Sequence, residues 1–503
     1  MSLLGIDVGT TCAKAIVLSE EGKLLASVRR EYDIVRGQPG WAELDSRAIW
    51  RQLKDMIREV ATEATLDPIV ALSVSSMGET LTPVSHDRTI LGNCLLGFDS
   101  RGAETTKRLA RLDPVTFFER SGNLPGPIYG GQKVLWLRDN RPELFASTYK
   151  FLGWADLVAY LLGAEPCTDY SLANRSLFFD MQHARWSEET LDYLGMPLDK
   201  LPRVAQAGTL IGTVSRHAAE ELRLPLDVRI VLGAHDQCTS AAGAGVIHPM
   251  QAAYGMGSYI CITPTYDTIP PTKGLLAAKL NVEHHAVPGL FVSFYYNLSG
   301  GTVLKWFRDV FAQAEMREAL ATGRDVYDQL LAEMPESPTD LVVLPHFAPT
   351  GPPYFDEHPV GVIAGLTLET NRGMFIKGLL EGVTYYFRQG LEQMASAGIA
   401  INEFRATGGG ARSNSWLQIS ADVLGRRLIR PVVTEAGALG ATVLAGSGCG
   451  VYTSIEEAVA MLVRIDRTFE PDPRRQAAYA ESFGRYQLLY PFARSVRAER
   501  RCL

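Results

Sequence analysis

The sequence predicts an α/β protein of two halves, each with a mixed sheet flanked by helices. Three observations predict it. The chain opens strand–turn–strand, with Leu3–Val8 and Ala13–Leu18 on either side of Gly9-Thr10-Thr11. The same opening returns at Ala252–Gly257, Ser258 and Tyr259–Pro264, weak in residue identity but alike in arrangement. Helical periods alternate with buried strands in both halves, and 503 residues are too many for one ordinary core.

Taken in order, the turn at Glu21-Gly22 leads to a third strand, Leu24–Arg29, which completes a meander. Ile49, Leu53, Met56, Ile57 and Val60 fall at helical spacing and predict a helix over 46–64. Val70–Ser75 reads as a buried strand ending at Met77-Gly78-Glu79-Thr80. Positions 100–225 read as mostly helical with Pro/Gly loops, most clearly at Trp154–Leu162 and Glu188–Leu194. Val228–Gly233 returns to strand, and Asp236 opens a small-residue helix reaching about Gly245. His248-Pro249 marks a boundary between domains 1–246 and 247–503.

In the second half, helices are expected near 302–314, 372–396 and 414–424, with strands at Glu403–Thr407 and Leu428–Val432. The helix after Glu435 carries Ala436, Gly437, Gly440, Ala441 and Ala445, small enough for close packing. Thr453 and Glu456 read as a capping box before Ala458–Val463. Tyr479, Phe483, Tyr486 and Tyr490 form an aromatic stripe on the last helix that reads as core.

The formal charge is −7 with dispersed basic residues, which argues against a nucleic-acid surface. An anionic ligand would then need local backbone N–H groups. Seven cysteines are scattered at 12, 94, 167, 238, 261, 449 and 502 without a Cys-x-x-Cys, as expected of free thiols in a reducing compartment. No apolar run reaches the roughly 18 residues of a membrane helix. The N-terminus enters a strand by Leu3 with no leader-like segment, so the cytoplasm is expected.

Two carboxylates stand at predicted strand ends. Asp7 is followed by Gly9-Thr10-Thr11 and Lys14, and Asp236 lies in Gly-Ala-His235-Asp236-Gln237. One acid for metal and phosphates, and one to take a proton from a hydroxyl, suit phosphoryl transfer. Gly9 lets backbone N–H groups approach phosphate, Thr10 and Thr11 offer hydroxyls, and Lys14 offers a point charge. The plainer reading of that turn is a capped hairpin, and of Asp236 a helix cap. Gly408-Gly409-Gly410 follows a strand and opens a helix, permitting a flat ring or phosphate to approach the backbone. No Gly-x-x-x-x-Gly-Lys-Ser/Thr occurs, so a P-loop is excluded. His235 reads as a structural neighbour, and His284-His285 and His346 lack metal-ligand spacing.

With these motifs the chain resembles the FGGY carbohydrate kinases of the actin-like ATPase fold. The resemblance runs from about Leu3 to Ala460 and rests on several motifs. They are Asp7-Val-Gly-Thr-Thr, Gly40-Trp41-Ala-Glu43-Leu-Asp45, Lys133 to Asn140, Gly361 to Gly382, Gly408 to Asn414, and Glu435-Ala-Gly-Ala-Leu-Gly440-Ala. It implies two ribonuclease-H-like domains, with ATP and a sugar in the cleft between them. Asp236 would be the general base. Asp7, and more weakly Asp236, would face Mg²⁺ through water. Thr10, Thr11 and Lys14 would meet the γ-phosphate, with Gly9 in the same loop. Gly257, Ser258 and Gly301 would lie by the phosphates and ribose. Gly409, Gly410 and Asn414 would flank adenosine. Glu79, Thr80, Gln237, Asp99 and Arg101 would hold sugar or polyol hydroxyls. A homodimer is compatible with this resemblance.

Departures concern the substrate. Met256 stands where Thr is frequent, removing a hydroxyl from the phosphate site, and Met374 stands where His is common. Gly97 replaces a frequent Trp, and Ile128 replaces a Tyr used on glycerol. Losing that bulk suggests a pocket roomier than glycerol needs. The implied reaction is ATP-dependent phosphorylation of a terminal hydroxyl, with a pentulose such as xylulose as first choice. Glycerol, erythritol or gluconate kinases, a non-sugar actin-like ATPase and a degenerate binding protein are the alternatives.

Overall fold

The computed structural model describes residues 1–433 and 435–500. The first sheet is built from β1 (Ser2–Val8), β2 (Cys12–Ser19), β3 (Leu24–Glu31), β4 (Ile69–Ser76), β5 (Leu210–Thr213), β6 (Arg229–Val231) and β7 (Ala234–His235). Its order is β5-β6-β4-β1-β2-β3, with β7 beside the end of β4. β1 runs antiparallel to β2 and parallel to β4. Helix α1 (Ser46–Glu63), capped by the Asp45 side chain, buries Ile49, Leu53, Met56, Ile57 and Val60 against this sheet's core.

The second sheet repeats the plan. After α2 (Asp236–Gly243) come β8 (Gln251–Met256), β9 (Ile260–Tyr266) and β10 (Tyr295–Asn297). Then follow α3 (Gly301–Phe311), α4 (Arg372–Ser396), β11 (Glu403–Thr407), α5 (Asn414–Leu424), β12 (Arg427–Pro431), α6 (Ala436–Gly448) and β13 (Ile465–Phe469). The order β13-β12-β11-β8-β9-β10 matches the first sheet strand for strand. β8 is again antiparallel to its hairpin partner and parallel to the strand on its other side. The echo read at 252–264 is therefore a duplicated topology.

The two halves are joined by helices of small residues. α6 returns from the second half to lie against β1 and β4, and crosses α2 on its other face. Leu3, Ile16, Ala71, Val231, Ala242, Ala438, Leu439 and Val443 form the apolar core at this junction. Glycine is required at the crossing. A Cβ on Gly440 would stand 1.9 Å from the Thr239 carbonyl oxygen, and one on Gly243 2.0 Å from that of Ala436.

Several expectations are corrected. Positions 100–225 are helices interleaved with strands of two to four residues, such as Lys150–Leu152, Cys167–Asp169 and Arg203–Ala205, too short to carry a period. The helix expected near 302–314 breaks at Ala312, and a second runs over Gln313–Thr322. The cap near 453 is one residue later: Ser454 accepts from the Glu457 amide at 3.1 Å, while Glu457 reaches back to Thr453. Tyr479, Phe483 and Tyr486 are buried on one helix, whereas Tyr490 lies on the next and stacks on Tyr354 at 3.7 Å. The six described cysteines are free, and Cys502 lies outside the described residues. Among the described residues no helix is long and apolar enough to cross a membrane.

Candidate active site

Three acids end three neighbouring parallel strands. In register, Asp7 on β1 and Ala234 on β7 lie on either side of Ser75 on β4. Two strand spacings separate β1 from β7, about 10 Å. Glu79 follows the end of β4, and Asp236 follows β7 as the first residue of α2. Carboxyl ends of parallel strands are where open α/β sheets place their ligands.

Asp7 accepts a hydrogen bond from Ser75 Oγ at 2.8 Å. Burial raises its pKa, opposed by that hydrogen bond and by Lys14. Lys14 lies across from Asp7 in the hairpin, and its Nζ donates to Glu435 at the start of α6. Burial works against the Lys14 charge, but Glu435 and Asp7 outweigh it and raise the ammonium's pKa. Gly9 N–H donates to the Cys12 carbonyl at 3.0 Å and closes the turn that presents Thr10 and Thr11.

Asp236 is 29 % exposed. Burial pushes its carboxyl up to about 6, with His235 pulling it down and Asp7 and Glu79 pushing it further up. Glu79 is held by Arg175, whose Nε donates to it at 2.9 Å. Burial would raise the Glu79 pKa, yet Arg175, His235 and Lys133 bring it down to about 2. Gln237 is half-buried on the first turn of α2, and Thr80 is buried with its hydroxyl unpartnered.

Three glycine segments of the second half converge. Gly301 N–H donates to the Gly257 carbonyl at 3.0 Å, and Thr302 N–H to that of Ser258 at 3.2 Å, docking the β8–β9 turn on the start of α3. Gly408, at φ 86°, lies over the Met256 backbone, where a Cβ would meet it at 2.9 Å. Gly409 has open space beside it. Asn414 is exposed at the first turn of α5. This shelf of bare backbone fits a flat ring and its phosphates, which side chains here would exclude.

The other expected substrate contacts are differently engaged. Asp99 accepts from Ala42 N, Arg101 N, Arg101 Nε and Arg101 Nη2 at 2.6–2.9 Å, which saturates its two oxygens. Arg101 also pairs with Glu43 at 2.7 Å and packs over the rings of Trp41 and Trp136. The two brace the pocket wall. Lys133 braces it too, donating to the carbonyls of Gly97, Pro127 and Ile128 at 2.5–2.9 Å. Burial, offset in part by Glu79, brings the Lys133 pKa down to about 7. Met256 is fully buried beneath the triplet, so a hydroxyl there would not line the phosphate site as the sequence suggested. The segment from Glu435 borders the phosphate loop, with Gly437 against the Asp7 carboxylate and Glu435 on Lys14.

The sequence reading missed the buried charges that tie these acids together. His235 Nδ1 stands 2.6 Å from Glu283 and its Nε2 3.2 Å from Asp236. Glu283 also faces Arg175 Nη1 at 3.5 Å. His235, Cys238 and Glu283 make a cluster of metal-ligand types. Two donors on one tetrahedral zinc would stand roughly 3.4 Å apart. The 2.6 Å contact is instead an ion pair.

Comparison with known proteins accounts for this layout. The family model for the N-terminal domain of the FGGY family of carbohydrate kinases matches residues 2–243, and that for its C-terminal domain matches 257–449. The chain belongs to this family. Its members use ATP as the phosphate donor, so the protein is an ATP-dependent carbohydrate kinase, and the non-sugar ATPase alternative falls away. The chain is 25 % identical over 502 residues to a xylulose kinase of Bacillus subtilis, covering 98 % of this chain and 97 % of that one. It is 30 % identical over 485 residues to a glycerol kinase of Thermococcus gammatolerans, covering 93 % of each. The crystal structure of xylulose kinase from Rhodospirillum rubrum superposes with a TM-score of 0.87 at 26 % identity, covering 99 % of both chains.

Proposed function

We propose that this kinase phosphorylates a terminal hydroxyl of a small neutral ketose, a pentulose such as xylulose. The observation that carries the reading is the convergence of Asp7, Glu79 and Asp236 at three adjacent strand ends, in a chain whose second half carries the bare-backbone shelf. Asp236 takes the proton from the terminal hydroxyl as its oxygen bonds to the γ-phosphorus and the bond to ADP breaks. Glu79 and Gln237 hold the remaining hydroxyls, with Thr80 buried behind them. Thr10, Thr11, Lys14 and the Gly257-Ser258 turn receive the phosphates, and Gly409, Gly410 and Asn414 border the adenosine. The buried Asp7 carboxylate beside the Thr10-Thr11 turn fits Mg²⁺ held through water, with Asp236 a weaker second partner. That ion would neutralise charge on the phosphates. The reading divides the chain at 246/247, the first part carrying sugar and base and the second the nucleotide. The free cysteines support a reducing, cytoplasmic setting.

Two local facts favour a ketose over glycerol or a sugar acid. Gly97 lies against Glu79, where a Cβ would be 3.4 Å from the Glu79 Cβ and 3.5 Å from the Ile128 carbonyl oxygen, so positions 97 and 128 themselves put no aromatic ring there. The surrounding charges are four carboxylates, Asp7, Glu79, Asp236 and Glu283, against Arg175, His235, a Lys133 whose charge burial disfavours, and a Lys14 already paired with Glu435. A substrate carboxylate would meet net repulsion. An ADP-release panel over ketopentoses, ketohexoses, tetritols, glycerol and gluconate tests the assignment. A ketopentose should give the highest kcat/KM, and a preference for gluconate or glycerol would refute it.

Gly97→Trp should narrow the pocket. The KM for the preferred ketose should rise about tenfold, the loss of a contact worth roughly 1.4 kcal/mol, with glycerol less affected. An unchanged KM ratio would remove Gly97 from the pocket. The pH profile follows from Asp236. The base works only when ionised, and burial has raised its pKa to about 6. Log kcat/KM should therefore bend downward below about pH 6, approaching a tenfold loss per unit.

A further inference from the structure

The buried charges around Asp236 form one connected chain. Glu283 sits wholly buried in the two-residue strand Glu283–His284 of the second half. Its Oε1 stands 2.6 Å from His235 Nδ1, and its Oε2 3.5 Å from Arg175 Nη1. His235 Nε2 faces Asp236 Oδ1 at 3.2 Å, and Arg175 grips Glu79. Phe294, eleven residues on from Glu283, packs against both cations: its ring centroid is 5.5 Å from that of His235 and 5.7 Å from the Arg175 guanidinium. The Cys238 thiol also points at Glu283 Oε1, at 3.3 Å.

We propose that Glu283 is a positioning residue for both sides of the sugar: through His235 it fixes the carboxylate of Asp236, and through Arg175 it fixes that of Glu79. The inference rests on the reading of Asp236 as base and Glu79 as sugar holder. His235 donates from Nδ1 to Glu283, and its Nε2 stands at ion-pair distance from Asp236 Oδ1, so the imidazole sits between the two carboxylates. That contact engages Oδ1 of Asp236 and leaves Oδ2 to receive the proton. The logic is that of a base oriented by a neighbour which a third group orients in turn. Arg175 is hydrogen-bonded to Glu79 and stands 3.5 Å from Glu283 Oε2, a charge contact without a hydrogen bond. The shared acceptor comes from the second half, while His235, Asp236, Arg175 and Glu79 belong to the first. Base and sugar holder are thus both indexed to the half that carries the nucleotide shelf.

The test uses the full chain with the best substrate of the panel and four variants: Glu283→Gln, Glu283→Asp, His235→Asn and the Glu283→Gln/His235→Asn double. Glu283→Gln should lower kcat about 10–100-fold, as loss of an orienting partner does elsewhere. It should raise the KM for sugar severalfold and leave the KM for ATP within about twofold. Glu283→Asp, which keeps the charge, should recover part of kcat. His235→Asn should add little to the loss already caused by Glu283→Gln, because the two act in one chain. Wild-type kcat and sugar KM in Glu283→Gln would overturn the proposal. So would an equal loss for both substrates, with a lowered Tm and no rescue by Asp, which marks a merely structural carboxylate. If Glu283→Gln does not fold, His235→Asn and Glu283→Asp decide by the same split between sugar and ATP. Asp236→Asn assayed alongside separates the two levels. If it is inactive while Glu283→Gln is normal, the base stands and the positioning role falls. If it is itself active, the assignment of the base falls.

Discussion

Asp236→Asn should retain the fold and ATP binding and lose turnover by a factor of about 10²–10⁴, the usual contribution of a positioned general base. Several features make the loss selective. The side chain is at the mouth of the site, 29 % exposed, so replacing one oxygen by an amide leaves no cavity. Burial already holds its ionised form at a disadvantage, so the neutral amide causes no loss of stability. The amide can still meet His235, but it cannot accept the hydroxyl proton. Its position ends the strand beside β4, so Asp7, Ser75 and the phosphate turn are untouched. ADP release under saturating sugar and ATP gives kcat, and nucleotide titration gives binding. Turnover near the wild-type rate would mean that another group removes the proton.

Much of this arrangement was legible in the sequence, and the unread parts share a cause. Helix 372–396 and strand Glu403–Thr407 were read with the bounds the structure shows, because a long period and a glycine triplet mark their ends. The strand-end positions of Asp7 and Asp236 were legible for the same reason: glycine and small residues punctuate the strands. What failed was whatever depends on partners distant in sequence. Arg175 and Glu283 are single charges without a motif, 96 residues from Glu79 and 48 from His235 respectively. Only the folded chain shows that each neutralises the other's burial. The resemblance implies Asp99 and Arg101 as sugar contacts, yet Ala42 N and Arg101 occupy Asp99, and Glu43, Trp41 and Trp136 engage Arg101. Met256 was legible in principle. Period-2 alternation in β8 puts it on the face of the buried Tyr254.

Gly440→Val should cost the most stability of any single change considered, and the loss should reach catalysis through geometry. The Gly440 Cα lies against the backbone of α2, where a Cβ would stand 1.9 Å from the Thr239 carbonyl oxygen and 3.0 Å from the Gly243 amide nitrogen. Both obstacles are backbone, so no rotamer relieves the clash, and α6 and α2 must part by more than an ångström. Neither helix is free to move outward. On the opposite side of α6, Gly5 of β1 leaves only 2.1 Å between a would-be Cβ and the Ala438 carbonyl oxygen, so the helix is held between sheet and helix. Overpacking of this kind costs about 3 kcal/mol or more, so Tm should fall by roughly 6–12 °C. One turn before Gly440, Gly437 touches the Asp7 carboxylate, and Glu435 holds Lys14. A displaced α6 therefore shifts the phosphate loop against Asp236, and a 1 Å misplacement can cost about 10²-fold in rate. Calorimetry and ADP release on the same preparation check both arms. A variant with wild-type Tm and kcat would show that the two helices do not cross in contact here.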